Sequence, residues 1–211
     1  MIITPQSFRI KEKKIVFNKV FVPGQSSWEI VDNETERTFI KNNHYYMENF
    51  TNSSWNFYKN RMPKETGECW MIETQIEFLG KDRYGQCGIV WGFDQSNEML
   101  NRFTISADGK RGVVMQFQKD HVRVPHRFPI HFSTPFDLAL IDLSIIKMNR
   151  YFYFLINKEL IYICEQSHFA ERGNYFGYYI EPDLFVRSPY MIVSKLTIEE
   201  RSGERFERLF I

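Results

Sequence analysis

The 211-residue chain has no surplus of either charge: 27 Lys and Arg stand against 26 Asp and Glu. No global field therefore draws it to nucleic acid or to an anionic membrane. Cysteine is scarce. Cys69, Cys87 and Cys164 are odd in number and irregular in spacing, which argues against a disulfide framework. All three sit in apolar runs, so buried free thiols are expected. No hydrophobic run reaches membrane-spanning length. Met1 to Lys14 hold no apolar core of a signal peptide. These absences set the expectation of a reducing, cytoplasmic location. A glycine-rich phosphate loop, a nucleophile elbow and a dinucleotide fingerprint are also missing. So are Cys-x-x-Cys and His-Glu-x-x-His, which leaves zinc without a local signature. No cysteine has a basic neighbour in sequence to activate it as a nucleophile.

What the chain has in quantity is aromatic and β-branched residues, with 20 Phe and 11 Tyr. These types favour strands. The stretch from Pro135 to Ile180 sets the pattern. Phe136 to Ile146 is a long apolar run, followed by a polar break over 147–150. Tyr151 to Ile156 and Leu160 to Ile163 then flank a tight Asn157-Lys158 break, and Tyr175 to Ile180 follows a polar loop. Short apolar runs on short turns predict an antiparallel meander. The loop over 165–174 has room for one helical turn. Upstream, Trp70 to Leu79 alternates strictly. Trp70, Ile72, Thr74, Ile76 and Phe78 share one face; Met71, Glu73, Gln75, Glu77 and Leu79 share the other. Cys87, Ile89, Trp91 and Phe93 alternate with Gln86, Gly88, Val90, Gly92 and Asp94. The glycines leave that second face bare for close approach.

Further strands are predicted at 7–10, 14–22, 28–31, 36–40, 44–50, 55–58, 99–106, 113–118, 190–200 and 206–211. Asp120 to Phe132, basic and broken by Pro125 and Pro129, reads as a surface excursion. No repeat or linker divides the chain. The expectation is one all-β domain over 1–211, a two-sheet antiparallel β-sandwich. It is best supported over 68–200, with 1–25 and 201–211 peripheral.

Candidate ligand contacts are the polar and aromatic positions opposite the core: Gln75, Glu77, Arg102, Tyr179 and Glu181, with Glu73 beside them. Tyr84 and Trp55 are candidate rim aromatics. Ligand sites pair apolar or aromatic surface with a few polar groups. His121, His126 and His131 do not share a strand face, so no metal site is assigned. Calcium needs clustered oxygens. Asp94 with Asn97 and Glu98, or Glu181 with Asp183, would supply only some, so no cofactor is assigned. The short basic stretch Lys119 to Arg127 fits a solvated or acidic-partner loop better than a nucleic-acid surface.

Several motifs together resemble the concanavalin A-like lectin/glucanase superfamily, especially its laminin-G-like bacterial jelly rolls. They are Tyr84-Gly85-Gln86-Cys87-Gly88-Ile89-Val90-Trp91-Gly92-Phe93, Asn101 to Gly109, Tyr151 to Lys158, Asn174 to Ile180 and Val193 to Ile198. Lys158 replaces the glycine that follows the asparagine in that template. The resemblance implies two curved sheets, with ligand on a concave face or at rim loops. It also implies a comparison with the superfamily's glucanases, whose strand reads Glu-x-Asp-x-x-Glu or Glu-x-Asp-x-Glu. This chain offers Glu73-Thr74-Gln75-Ile76-Glu77, with an amide in place of the central aspartate. The expected function is a non-catalytic module that recognises a carbohydrate. A protein-interaction or sensor domain is the alternative, and a glycoside hydrolase using Glu73 and Glu77 is third. Fold alone does not decide among them.

Overall fold

The computed structural model describes residues 12–19, 21–24, 27–51, 56–63, 69–79, 85–94, 99–118, 126–148, 150–169, 173–181 and 190–202. The strands among these residues are β1 (Glu12–Lys19), β2 (Glu36–Lys41), β3 (His44–Asn49), β4 (Asn56–Arg61), β5 (Trp70–Leu79), β6 (Gln86–Asp94) and β7 (Met99–Ser106). They continue with β8 (Arg111–Gln118), β9 (His126–His131), β10 (Ile141–Met148), β11 (Tyr151–Ile156), β12 (Glu159–Glu165), β13 (Tyr175–Glu181) and β14 (Tyr190–Ser202). One 3-10 turn, Gln166–His168, is the helical turn expected between β12 and β13.

All strand pairs are antiparallel and fall into two sheets. One runs β12-β11-β10-β5-β14-β3-β2; the other runs β4-β13-β6-β7-β8-β9. The long β14 lends its first residues to β3 and its later ones to β1 along the same edge. The sheets face each other across one core, the two-layer solution to burying one face of each strand. From β5 it takes Trp70, Ile72, Ile76 and Phe78; from β6, Cys87, Ile89 and Trp91. The period of two read from sequence is therefore the period of burial.

Trp91 from one sheet packs against Phe152, Phe154 and Phe169 at ring-centroid distances of 5.6 Å each. Trp91 and Phe154 are essentially inaccessible to solvent. A buried hydroxyl pair, Thr74 Oγ1 and Tyr178 Oη at 2.9 Å, joins the two layers. Cys87 and Cys164 are buried free thiols, and Cys69 is half-buried. Burial raises both buried thiols above their ordinary pKa, Cys164 to about 12, so neither is a ready nucleophile.

The edge strand β2 is covered. Thr38 Oγ1 accepts from the Val31 amide and donates to the Glu29 carbonyl, both at 2.8 Å, while the Thr38 amide donates to the Val31 carbonyl. That segment was expected to be a strand; it is instead an irregular strap that occupies hydrogen-bonding groups of β2.

Three other expectations change. Part of the supposed excursion over 120–132 is the edge strand β9, paired with β8. Pro129 is tolerated because an edge strand has one side without ladder bonds. The apolar run from Phe136 does not become strand until Ile141; over 136–140 the chain is held by Phe136 N–H to the Gly109 carbonyl and by Phe78 N–H to the Leu138 carbonyl. The bare face at Gly88 admits a neighbouring strand rather than a ligand. A Cβ there would collide with the Phe103 carbonyl oxygen and stand 2.7 Å from Thr104 Cα. The strands expected at 7–10 and 206–211 lie outside the described residues.

Two hairpins turn through consecutive positive-φ residues: Asn42 and Asn43 (51° and 61°), and Asn157 and Lys158 (49° and 68°). Asparagine tolerates this region; lysine pays about 1 kcal/mol for it. Lys158 is exposed in the turn. Lys158→Gly is therefore expected to stabilise the protein by about 0.5–1 kcal/mol, visible as a rise of roughly 2–3 °C in Tm. A fall in Tm would mean that the lysine side chain contributes more than its backbone strain.

Candidate binding face

Strand register decides which predicted site residues meet. In the six-stranded sheet, Phe176, Tyr178 and Ile180 of β13 enter the core. Tyr175, Gly177, Tyr179 and Glu181 therefore face outward. Gly177 is paired with Lys59 on one side and Val90 on the other, and Val90 is paired with Arg102. Glu181 is paired with Gln86. Three residues proposed separately from the sequence thus converge on one surface: Tyr179, Arg102 and Glu181.

Their contacts are specific. The Arg102 guanidinium lies 4.2 Å from the Tyr179 ring centroid. Tyr179 Oη donates to Glu181 Oε2 at 2.8 Å, and Arg102 Nη1 stands 3.6 Å from the same oxygen. The Arg102 side chain is only 12% exposed, and its Nε is buried with no acceptor among the described residues. A guanidinium offers five N–H donors, so this one has donor capacity that the described protein groups leave unused. Burial raises the Tyr179 phenol well above its ordinary pKa; the Arg102 charge opposes this and the Glu181 charge adds to it. The phenol therefore stays protonated and can remain the donor. Alongside, Thr104 Oγ1 donates to Gln86 Oε1 at 2.9 Å.

Beneath these groups, Val90, Leu100 and Tyr179 form a small closed apolar layer with Phe93 packed on it. Tyr179 is 2% exposed. Its ring face is taken by Arg102, so Tyr179 supports the site and does not serve as an open stacking platform. The accessible aromatics are Phe93 and Tyr175, in edge contact at 6.2 Å. Lys59 Nζ sits 5.1 Å from the Phe93 centroid and 5.7 Å from that of Tyr175. Lys59, Phe93, Tyr175, Gln86 and Thr104 were not singled out from the sequence as site residues. Alternation marks Tyr175 and Gln86 as outward, but it puts Phe93 on the inward face with Trp91; a register shift after Trp91, at Gly92 (φ 63°), turns Phe93 outward instead. The pairing of β4 with β13, which brings Lys59 to this face, was not legible.

Gln75 and Glu77, with Glu73, lie elsewhere. They project from the outward face of the eight-stranded sheet, so the six candidates do not form one site. Gln75 is held there: its amide donates to Asp142 at 3.1 Å, and its carbonyl oxygen accepts from Ser194 at 2.9 Å. That face continues to the stacked pair Phe39–Tyr46, with centroids 4.7 Å apart, and to the Arg37–Glu48 ion pair. At its edge a shallow cavity of about 300 Å³ is lined by Ile30, Asp32, Arg37, Thr38 and Phe39.

Tyr84, Trp55, His121, Asn97, Glu98 and Asp183 lie outside the described residues. Among the described residues, no group of three or more His, Cys, Asp or Glu side chains is placed to hold a metal ion. No described helix is long and apolar enough to cross a membrane.

No family model and no curated protein matches the sequence. Solved structures do resemble the fold. The catalytic domain of an endo-1,3-β-glucanase (laminarinase) from Thermotoga petrophila aligns over 92% of this chain and 100% of its own, with TM-score 0.63 and 8% identity. The β-glucanase of Bacillus licheniformis aligns over 89% and 98%, with TM-score 0.60 and 8% identity. The carbohydrate-binding module CBM66 from Bacillus subtilis aligns over 93% and 100%, with TM-score 0.51 and 12% identity. The fold is the two-sheet β-sandwich jelly roll that these structures share.

Proposed function

We propose that this jelly roll binds a carbohydrate, without hydrolysing it, on the outward face of its six-stranded sheet. The observation that carries the reading is the enclosed Arg102 guanidinium. It stands between Tyr179 and Glu181, with a buried Nε that no described group accepts. A buried donor without an acceptor is costly unless a ligand or solvent completes it. Planar guanidinium, amide and carboxylate groups beside aromatic surface suit sugar hydroxyls and the apolar faces of pyranose rings. The likeness of the fold to laminarinases and to a carbohydrate-binding module supports the same reading.

Hydrolysis of a glycoside ordinarily needs two carboxyl groups flanking one bond. Among the described side chains of the proposed face Glu181 is the one carboxylate, and it is engaged by Tyr179 and Arg102. Glu73 and Glu77 stand on the opposite outer surface. Four residues apart on one strand, they have Cα atoms roughly 13 Å apart, further than the carboxyl separations such chemistry uses.

A glycan array followed by calorimetric titration tests the proposal. Arg102→Met, which keeps the aliphatic stem over Tyr179, and Glu181→Gln are each expected to weaken glycan binding at least 10-fold with little change in Tm. If binding survives both but disappears in Glu77→Gln, the site is on the other sheet. If no glycan binds and a protein partner co-purifies instead, the interaction-module reading replaces this one. Release of reducing sugar that vanishes in Glu73→Gln would make the protein a hydrolase.

A further inference from the structure

We infer a second binding site, separate from the Arg102 face: the shallow cavity at the β2 edge, which takes one ring of a non-acidic sugar. Its walls come from two pieces of chain. Ile30 and Asp32 stand on the irregular strap; Arg37, Thr38 and Phe39 stand on β2. Its volume of about 300 Å³ lies at the lower end of small-ligand clefts, room for one ring and not for a chain laid out at length. The surface is open. Ile30 is 59% exposed, and the Arg37 side chain is 44% exposed. Asp32 is exposed and Phe39 half-buried.

The strap is fastened on both sides of Ile30 and Asp32. The Glu29 carbonyl accepts from Thr38 Oγ1 at 2.8 Å and from Tyr45 Oη at 2.7 Å. Val31 is joined to Thr38 through both its amide and its carbonyl. The Asn33 amide donates to the Glu36 carbonyl, and its side-chain oxygen accepts from the Thr35 and Glu36 amides. The cavity walls are therefore in place before a ligand arrives, and binding costs little ordering. None of these bonds uses the side chain of Ile30 or Asp32. Among the described residues, no group pairs with the Asp32 carboxylate.

The lining chemistry selects the ligand. A carboxylate accepts from two adjacent hydroxyls, which is what a sugar ring presents. Glu48 orients Arg37: Nε donates to Glu48 Oε2 at 2.7 Å, and Nη2 stands 2.6 Å from the same oxygen. A guanidinium has five N–H donors, so others remain for hydroxyl or ring oxygens. Ile30 and Phe39 offer apolar wall to the C–H groups between those oxygens. One face of the Phe39 ring is taken by Tyr46 at 4.7 Å, and the Arg37 guanidinium lies 5.5 Å from its centroid. Phe39 therefore contributes its rim and not a stacking platform. Asp32 and Glu48 outnumber Arg37 at this place, so a sugar that carries its own carboxylate is disfavoured.

The test is a titration of the isotopically labelled full chain, followed by amide shifts in nuclear magnetic resonance. The probes are the methyl glycosides of glucose, galactose and mannose, and the uronic acid of each. At least one neutral glycoside is expected to move the Val31, Asp32 and Phe39 amides saturably, in the millimolar range for so small a ligand. Its uronic acid is expected to bind about 10-fold more weakly, and Asp32→Ala to weaken the neutral sugar by about the same factor. The Tm of Asp32→Ala should match that of the parent. Arg102→Met should leave these shifts unchanged, so the two sites fail independently. Amides that stay still with all three sugars would overturn the inference and leave the Arg102 site untouched. So would shifts that survive Asp32→Ala, or a uronic acid that binds as tightly as its parent sugar. Loss of the shifts in Arg102→Met would show one site and not two, and would overturn it as well.

Discussion

Gly177→Ala is expected to cost at least about 3 kcal/mol of stability, a fall of roughly 10 °C in Tm for a chain of this size. The reason is distance between backbones. An added Cβ would collide with the Tyr58 carbonyl oxygen and would stand 2.8 Å from the carbonyl carbon and 2.9 Å from Lys59 Cα. None of these atoms is the tip of a flexible side chain, so relief requires β4 and β13 to move apart. Those strands exchange a continuous register from Tyr175↔Arg61 to Ile180↔Asn56. Separating them disturbs a whole ladder.

Gly24→Ala is the control. Gly24 has φ of +76°, yet no atom lies within 4 Å of where its Cβ would be. Its replacement should cost only the backbone term, about 1 kcal/mol. Equal Tm losses for the two variants would mean that conformation, and not crowding, selects glycine at 177. The same substitution bears on function. Lys59 is paired with Gly177 and reaches past it to Phe93 on the next strand. Moving β4 away from β13 would shift Lys59 relative to Phe93, so a folded Gly177→Ala should also lose ligand.

The sandwich was legible because each strand states its own inward face. Ile72, Ile76, Ile89 and Trp91 needed no partner to be identified as core. The errors arose where local pattern and tertiary context part. Phe136 to Leu140 is apolar enough for a strand, but its backbone groups are taken by Gly109 and Phe78. Pro129 argues against a strand everywhere except at an edge, and β9 is an edge.

The site was half legible for a related reason. Alternation shows that Gln75 and Arg102 both face outward, but it cannot show from which sheet. That is fixed by pairing β5 with β10 and β14, and β7 with β6 and β8, across long stretches of sequence. The convergence of Arg102 with Tyr179 depends on β6 lying between their strands. The approach of Lys59 to Phe93 depends on β13 lying between theirs. Neither has a local signature.

Raising the pH above about 10 is expected to unfold the protein cooperatively. Tyr45, Tyr178 and Tyr179 all have phenol pKa values well above the usual range, with burial the largest cause in each case. Tyr178 carries only the 2.9 Å bond to Thr74 inside the core, and Tyr45 donates to the Glu29 carbonyl at 2.7 Å. Among the described residues, no cation stands beside either phenol to meet its ionised form. In the unfolded chain the same groups ionise near pH 10. A pKa raised by folding contributes stability that is fully present below the unfolded value and is lost as pH climbs toward the folded one. Each pH unit within that window removes about 1.4 kcal/mol per buried phenol. Three such groups acting together remove about 4 kcal/mol per unit, and so exhaust an ordinary folding stability of about 5–15 kcal/mol within roughly one to four units.

Absorbance at 295 nm should therefore show two phases. The accessible tyrosines titrate smoothly near pH 10, and a later steep step coincides with loss of near-ultraviolet circular dichroism. Tyr178→Phe makes the two effects separable. At pH 7 it should be less stable by about 1 kcal/mol, because the hydrogen bond between Thr74 and Tyr178 is lost. Above the steep step it should be the more stable protein, because one ionisation has been removed. The two stability curves must cross. If all 11 tyrosines titrate in one smooth wave with the core signal unchanged, the phenols between the sheets are reachable by water, and the packing of Tyr45 and Tyr178 in a closed core is wrong.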